Sequence, residues 1–80
     1  MAKKRVMFTF PEELVKEPII YRLGRDFKVV TNIRRADVTE KRGWVVLELE
    51  GEEKEIERGL AYVTKLGVRV DPVVGDIVEG

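Results

Sequence analysis

The sequence predicts an α+β domain in which two helices cover one face of a four-stranded antiparallel sheet. Two patterns in the chain carry this prediction. Hydrophobic side chains alternate with polar ones in four short segments, as in strands with one buried face, and recur at helical spacing in two others. The segments follow in the order strand, helix, strand, strand, helix, strand. This order is the split βαβ arrangement, which leaves the second face of the sheet open.

The predicted strands place their most apolar side chains on the side that the helices would cover. They run over residues 5–10, 27–38, 44–51 and 68–70. The covered side of the first three strands consists of Val6, Phe8, Phe10, Phe27, Val29, Thr31, Ile33, Val45, Leu47 and Leu49. The polar segment 39–43 contains a glycine, so the second and third strands are expected to form an antiparallel hairpin.

The two predicted helices show apolar residues at helical spacing and acidic residues near their starts. The first is expected to begin at Pro11 and to end at Gly24. Pro18 lacks an amide donor and therefore predicts a kink or a late start in this helix. The second helix is predicted over residues 52–66. Its buried stripe consists of Ile56, Leu60, Val63 and Leu66.

Residues 1–72 are expected to form one domain. Residues 73–80 are rich in glycine and mildly acidic, and they are expected to form a flexible tail. A chain of 80 residues is near the lower limit for burying a core of its own without a disulfide or a metal. Contacts with a partner or with a second copy are therefore expected to contribute.

The composition argues against several classes of function. The 15 basic and 15 acidic residues cancel, which disfavours a general attraction to nucleic acid or to an anionic membrane. The chain contains no cysteine and no histidine, so thiolate, iron–sulfur and imidazole chemistry have no residue to carry them. No segment approaches the roughly 20 apolar residues of a membrane span. We therefore expect a cytoplasmic protein with no metal and no cofactor.

The open face of the sheet is the predicted surface for binding. Strand parity assigns it Met7, Thr9, Val30, Asn32, Arg34, Trp44, Val46, Glu48 and Arg69. Val30, Trp44 and Val46 are the candidate interface residues, because exposed apolar side chains among charges suit another sheet or a partner domain. A homodimer is the expected assembly.

Several runs of the chain resemble a known family, the NIL domain, which takes its name from an Asn-Ile-Leu tripeptide. The matching runs are Phe10-Pro11, Thr31-Asn32-Ile33-Arg34, Ala36-Asp37, Gly43 to Gly51 and Gly67-Val68. Asn32 and Ile33 match the tripeptide, whereas Arg34 stands where leucine is usual. The resemblance covers almost the whole chain and implies a ferredoxin-like fold.

The resemblance also implies a regulatory or accessory role linked to sulfur amino acids. NIL domains lie at the carboxyl end of methionine-importer ATPases, where methionine bound to the domain pair lowers transport. They also precede ferredoxin-type modules in proteins of sulfur assimilation. The implied ligand is therefore a small molecule such as methionine, and the implied partner is a protein of sulfur metabolism or of an importer. Transport and electron transfer are not carried over, because the chain lacks a phosphate-binding loop and cysteines.

Asn32 is the position that the resemblance carries over as a ligand residue. Its amide offers the donors and the acceptor that the ammonium and carboxylate of an amino acid require. Phe10, Ile33, Met7 and Val46 are candidate walls for a thioether, and Arg34 and Arg35 are candidate partners for a carboxylate. The alternatives are core positions for Phe10 and Ile33 and a solvated strand edge for Asn32 and Arg34.

Three alternatives compete with a metabolite-binding role. Arg42-Gly43-Trp44 resembles the start of a signature in RNA-recognition modules, but Val46 and Leu49 stand where that signature has aromatic residues. Glu48 and Glu50 share a strand face, as a catalytic pair would, but alternating glutamates are typical of a solvated face. The chain is therefore expected not to be an enzyme. The third alternative is an interaction module that uses the open face without a ligand.

Overall fold

The computed structural model describes residues 1–74 and, for the backbone alone, residues 77–78. Along this part of the chain the helices and strands follow the order that the sequence predicts, except that the first predicted helix is divided in two and a short strand is added at the end. The elements are β1 (Ala2–Phe10), α1 (Glu12–Val15), α2 (Ile19–Asp26), β2 (Val29–Val38), β3 (Gly43–Gly51), α3 (Glu53–Leu66), β4 (Arg69–Val74) and β5 (Ile77–Val78).

The strands form one antiparallel sheet in the order β2-β3-β1-β4-β5. β1 lies between β3 and β4, and Phe8 is paired with Val45 on one side and with Val70 on the other. β2 is joined to β3 by a hairpin. The predicted α+β fold, a ferredoxin-like βαββαβ sandwich, is therefore confirmed. β5 is an addition to it that the sequence patterns did not predict.

The core lies between the helices and one face of the sheet. Its largest fully buried side chains come from both layers of the domain, the helices and the sheet: Phe8, Ile19, Leu23, Leu47, Leu49, Val6 and Val63. Because successive side chains of a strand point to opposite faces, the alternation in β1 and β3 places every second residue in this core. This is the face that the sequence predicts to be covered.

Proline divides the first helical segment into α1 and α2. Pro18 lies at the start of α2, after the end of α1, so the interruption that was predicted as a kink or a late start is a break between two helices. Gly24 does not end the helix, because α2 continues to Asp26 before the chain turns into β2. Gly24 instead lies where the helix approaches the β2 backbone: a Cβ built there would be 3.8 Å from the Val29 carbonyl oxygen.

The predicted second helix is α3. It ends at Leu66, and Gly67 follows with φ 111°, a left-handed conformation that glycine adopts without a Cβ clash. The Gly67 amide donates to the Thr64 carbonyl at 3.0 Å, and the Val68 amide donates to the Val63 carbonyl at 3.1 Å. These bonds satisfy carbonyls at the end of the helix and turn the chain into β4.

β2 contains a β-bulge that shifts the face of every residue after it. Ile33 is paired with Leu47 and Arg35 with Val46, so Arg34 is the additional residue. Asn32 lies on the open face before the bulge, and Arg35 and Asp37 lie on the same face after it. The predicted alternation, which put Arg34 on the open face, therefore does not extend past Ile33, because one inserted residue exchanges the two faces.

The predicted boundary after residue 72 falls within β4, which continues to Val74. Val73 and Val74 are paired with Val78 and Ile77 of β5. The other residues of the predicted flexible tail, 75, 76, 79 and 80, lie outside the described residues.

Candidate ligand-binding site

A row of three polar side chains crosses the open face of the sheet. The register places Asn32 of β2 beside Glu48 of β3, and Glu48 beside Arg5 of β1. Arg5 Nη2 donates to Glu48 Oε2 at 3.2 Å, while Asn32 is exposed. We call Asn32, Glu48 and Arg5 the polar row. It presents an amide, a carboxylate and a guanidinium on one surface, the groups that hydrogen-bond to a zwitterion.

An apolar pair lies beside the polar row. Met7 and Val46 are paired across β1 and β3, two residues along each strand from Arg5 and Glu48. Arg35 flanks this pair on the β2 side and Asp71 on the β4 side. Asp71 is buried, and its Oδ2 accepts a hydrogen bond from Arg69 Nε at 2.9 Å. The open face therefore combines charged groups with a small apolar area, as the sequence predicts.

The five predicted ligand residues do not converge within one copy of the chain. Asn32 and Met7 lie on the open face. Phe10 is three positions from Met7 along β1, and Ile33 is one position from Asn32 along β2. Side chains an odd number of positions apart on a strand point to opposite faces, so Phe10 and Ile33 lie on the covered face. Arg34 is the exposed bulge residue. The prediction that Phe10 and Ile33 line a site together with Asn32 is therefore wrong for a single copy.

Phe10 and Ile33 also differ in burial, although both lie on the covered face. Phe10 is in the core and contacts Phe8 edge-on, with ring centroids 6.2 Å apart. Ile33 is 55% exposed. The core interpretation therefore holds for Phe10 and fails for Ile33, because α2 and α3 do not cover β2 as far as its bulge.

The three predicted interface residues differ in accessibility. Val30 is 61% exposed and Trp44 is partly buried. Val46 is only 7% exposed, because it lies between the longer side chains of Met7 and Arg35. Val46 is thus a poor interface residue, although the sequence places it on the correct face.

Two cavities lie near these residues, one on each side of the sheet. A cleft of about 280 Å³ at the β2–β3 hairpin is lined by Thr9, Asp37, Thr39, Arg42, Gly43 and Trp44. A largely apolar groove of about 200 Å³ lies on the covered side, between the helices and the end of β2. Its lining residues are Phe10, Leu14, Val15, Glu17, Pro18, Ile19, Ile20, Tyr21, Val38 and Val45.

Two carboxyls with a lowered pKa are on the helical side of the domain. The pKa of Glu55 is lowered because the Lys28 amide donates to it at 3.1 Å and the Arg58 guanidinium also binds it. The pKa of Asp26 is lowered by a hydrogen bond from Arg25 at 2.8 Å. The Lys28 contact attaches the start of α3 to the segment before β2. These contacts indicate a structural role.

Metal-ligating clusters and long apolar helices are both absent from residues 1–74 and 77–78, the part of the chain that the structure describes. No group of three or more acidic side chains there is arranged to hold a metal ion. Among the helices of the same residues, none has the length and apolar character to cross a membrane.

Sequence reasoning missed Arg5 and did not treat Glu48 as a candidate ligand residue, and it considered Arg35 beside Arg34 without placing Arg35 on a face of the sheet. Arg5 and Glu48 are 43 positions apart, and only the pairing of β1 with β3 brings them together. Arg35 reaches the open face through the bulge. No periodicity in the sequence marks the bulge, although the polar run around it is a hint of irregular structure.

Comparison with known proteins agrees with this geometry. The family model of the NIL domain matches residues 4–72. A solved structure of the C-terminal domain of an ABC transporter ATP-binding protein from Enterococcus faecalis is similar, with a TM-score of 0.77 and 25% identity, over 90% of this chain and 84% of that one.

A curated relative extends the comparison to sulfur metabolism. The chain is 32% identical over 65 residues to the L-aspartate semialdehyde sulfurtransferase iron-sulfur subunit of Methanocaldococcus jannaschii. The match covers 81% of this chain and 50% of the relative, so the chain spans about half the relative's length. With the family model matching most of its residues, the chain belongs to the NIL domain family.

Proposed function

We propose that this chain is a regulatory or accessory domain that binds a sulfur amino acid such as methionine and reports its level to a protein of sulfur metabolism or transport. The observation that carries the proposal is the position of Asn32. It lies within the family match and is exposed on the open face beside Glu48 and Arg5. The proposal includes a homodimer, a cytoplasmic location and no catalytic role.

The chemistry of the polar row supports an amino acid as the ligand. Glu48 is suited to accept hydrogen bonds from an ammonium, and Arg5 to donate to a carboxylate, while the Asn32 amide can do either. Met7 lies beside the row and offers an apolar contact to a thioether side chain. The Arg5–Glu48 pair would have to open to receive the ligand, and at 29% and 26% side-chain exposure it can exchange with water.

The names of the similar proteins support the accessory role. One is a domain of a transporter ATP-binding protein, and the other is a subunit of an enzyme named for sulfur transfer. Regulation in such a setting is a shift between two arrangements of the domain. A ligand produces that shift only to the extent that it binds the two arrangements with unequal affinity.

Isothermal titration with methionine, homocysteine and cysteine tests the proposal. We expect saturable binding by one of them, and a loss of about tenfold in affinity for Asn32→Ala, which removes a hydrogen bond to a charged group, and for Glu48→Gln, which removes the negative charge that would pair with the ammonium. Glu50→Gln is the matched control, because Glu50 lies on the same face of β3 two residues from Glu48. Its affinity should remain within about twofold of the unmodified chain.

The competing function is a ligand-independent interaction module. The observation that favours it is the exposure of Val30 on the open face, together with that of Ile33 and Val38 on the covered side of the same edge strand. If no heat is detected up to roughly millimolar ligand, a binding free energy of about 4 kcal/mol, the interaction module becomes the better description. If Asn32→Ala binds the ligand as tightly as the unmodified chain does, the chain has a ligand site, but that site is not the polar row.

A further inference from the structure

A second row of residues crosses the open face at its hairpin end. Asp37 of β2 is paired with Trp44 of β3, and Trp44 is paired with Thr9 of β1. All three line the cleft of about 280 Å³ at the β2–β3 hairpin. Trp44 is four residues from Glu48 along β3, a separation of about 13 Å at the rise of a strand. The cleft is therefore a place on the open face that is separate from the polar row.

The hairpin wall of the cleft is held by the side chain of Thr39. Thr39 Oγ1 accepts hydrogen bonds from the Lys41 amide at 3.3 Å and from the Arg42 amide at 3.2 Å, and it donates to the Arg42 carbonyl at 3.0 Å. The Thr39 amide donates to the same carbonyl at 2.8 Å. These bonds fix the backbone at Arg42 before a ligand arrives, which lowers the entropy cost of binding.

Two opposite charges line the cleft without pairing with one another. Asp37 and Arg42 are both exposed lining residues. Within residues 1–74 and 77–78, neither side chain forms a hydrogen bond or an ion pair. Arg5 and Arg69, on the same face, do pair with acidic side chains. The cleft therefore offers a carboxylate and a guanidinium that a ligand can reach separately, with no ion pair to open first.

Trp44 adds an aromatic surface beside these charges. It is partly buried, and among the described residues no arginine and no second aromatic ring stacks on it. An aromatic side chain in such a cleft binds flat ring systems by stacking, and every nucleobase has a π-face that can stack. The run Arg42-Gly43-Trp44 resembles the start of an RNA-recognition signature, and its one aromatic residue is enough to hold one base.

Guanine is the base whose edge matches the Asp37 carboxylate. An ionised carboxylate only accepts hydrogen bonds. Guanine presents two adjacent donors, its ring N1–H and its 2-amino group, whereas the corresponding edges of adenine, cytosine and uracil place an acceptor beside each donor. The phosphate of a nucleotide lies on the opposite side of the base, where the Arg42 guanidinium can bind it. An α-amino acid carries both charges on one carbon, which suits the contacting charges of the polar row better.

The size and charge of the surroundings favour a single nucleotide over a strand of RNA. A cleft of about 280 Å³ is near the lower limit of small-molecule pockets, roughly 300 Å³, and suits a base with its phosphate at the rim. The zero net charge of the chain disfavours a polynucleotide. We propose that the cleft binds a free guanine nucleotide, with the base stacked on Trp44, its donor edge on Asp37 and its phosphate on Arg42. This site is independent of amino-acid binding at the polar row.

The fluorescence of Trp44 tests the proposal, because it is the only tryptophan in the chain. Titration of the unmodified chain with GMP should quench the emission saturably, after correction for absorption by the nucleotide with free tryptophan as the reference. AMP should bind at least about tenfold more weakly, because its edge places an acceptor against the Asp37 carboxylate. Guanosine should also bind more weakly than GMP, because it lacks the phosphate that Arg42 binds.

Two substitutions separate the contacts to the base and to the phosphate. Asp37→Asn should move the preference from GMP toward AMP, since the one donor and one acceptor of an amide match the edge of adenine. Arg42→Gln should weaken GMP binding by about tenfold and leave guanosine binding within about twofold. Glu40→Gln and Lys41→Gln are the matched controls, because they remove the same charges from the same hairpin without lining the cleft. Both should bind GMP within about twofold of the unmodified chain.

Titration calorimetry of Trp44→Ala with GMP gives a readout that does not depend on fluorescence, and the affinity should fall roughly 5- to 150-fold. Thermal unfolding of each variant verifies that the fold is retained. The absence of both quenching and heat up to roughly millimolar GMP, or equal affinity for GMP and AMP, would overturn the proposal. A guanine-containing oligoribonucleotide that binds more tightly than GMP would also overturn it, in favour of an RNA site.

Discussion

The two faces of the sheet are built from the same strands but are stabilised by different interactions. On the covered face, Phe8, Leu47 and Leu49 have no exposed surface. On the open face, the residues next to them include Arg5 and Glu48, which form an ion pair in contact with water. Burial of apolar surface fixes the first face, whereas polar contacts of small net energy organise the second. The open face can therefore acquire a binding role at little cost to the fold.

The largest expected difference between the faces is the loss in free energy of unfolding when a side chain is truncated to alanine. Leu47→Ala should lower the free energy of unfolding by about 3 kcal/mol, because it leaves a cavity in a closely packed core. Val30→Ala, on the open side of β2 at 61% exposure, should change it by no more than about 0.5 kcal/mol. Urea denaturation of both variants measures the contrast. Equal losses would mean that the open face is also buried, as in a tight assembly.

The next largest effect on stability is expected at Gly51, where the end of β3 lies close to the backbone of Lys28. A Cβ on Gly51 would lie 2.6 Å from the Lys28 carbonyl oxygen, so Gly51→Ala should cost about 1–3 kcal/mol. Gly24→Ala is the control, since Gly24 lies within α2 and its Cβ would meet only an ordinary contact, at 3.8 Å from the Val29 carbonyl oxygen. It should stabilise the chain by about 0.5–1 kcal/mol through helix propensity. Thermal unfolding should therefore shift in opposite directions for the two variants.

The polar row should contribute little to stability. Glu48→Gln removes the charge that pairs with Arg5, and the expected loss is below about 1 kcal/mol. The loss should shrink further in about 1 M salt, because exposed charges are screened. Denaturation of both proteins at low and high salt measures it. A loss as large as that of Leu47→Ala would show that the open face helps to hold the fold together.

The smallest expected effect is the pH dependence from Glu55. Because its pKa is lowered in the folded chain by Lys28 and Arg58, its contribution to stability is present above the unfolded pKa of about 4.3. It is lost as the pH falls through the lower folded pKa. The stability difference between the unmodified chain and Glu55→Gln should therefore be constant near neutral pH and decrease in acid. Glu57→Gln controls for the removal of one charge from the same helix.

The sequence predicted more of the covered face than of the candidate site. The alternation in β1 and β3 identified Phe8 and Leu47 as core residues, because burial imposes a period of two on a strand. The same rule cannot place the second half of β2, because the bulge at Arg34 adds one residue and exchanges the faces. Asn32 was placed correctly because it precedes the bulge.

Local chemistry in the sequence determined the order of elements, the break at Pro18 and the left-handed turn at Gly67. Each depends on the backbone preferences of one residue or on a periodicity within one segment. The tertiary structure alone decided that Arg5 meets Glu48, that α2 continues through Gly24, and that the edge of β2 remains uncovered. These features depend on which distant segments pack together, and on how far the helices extend across the sheet.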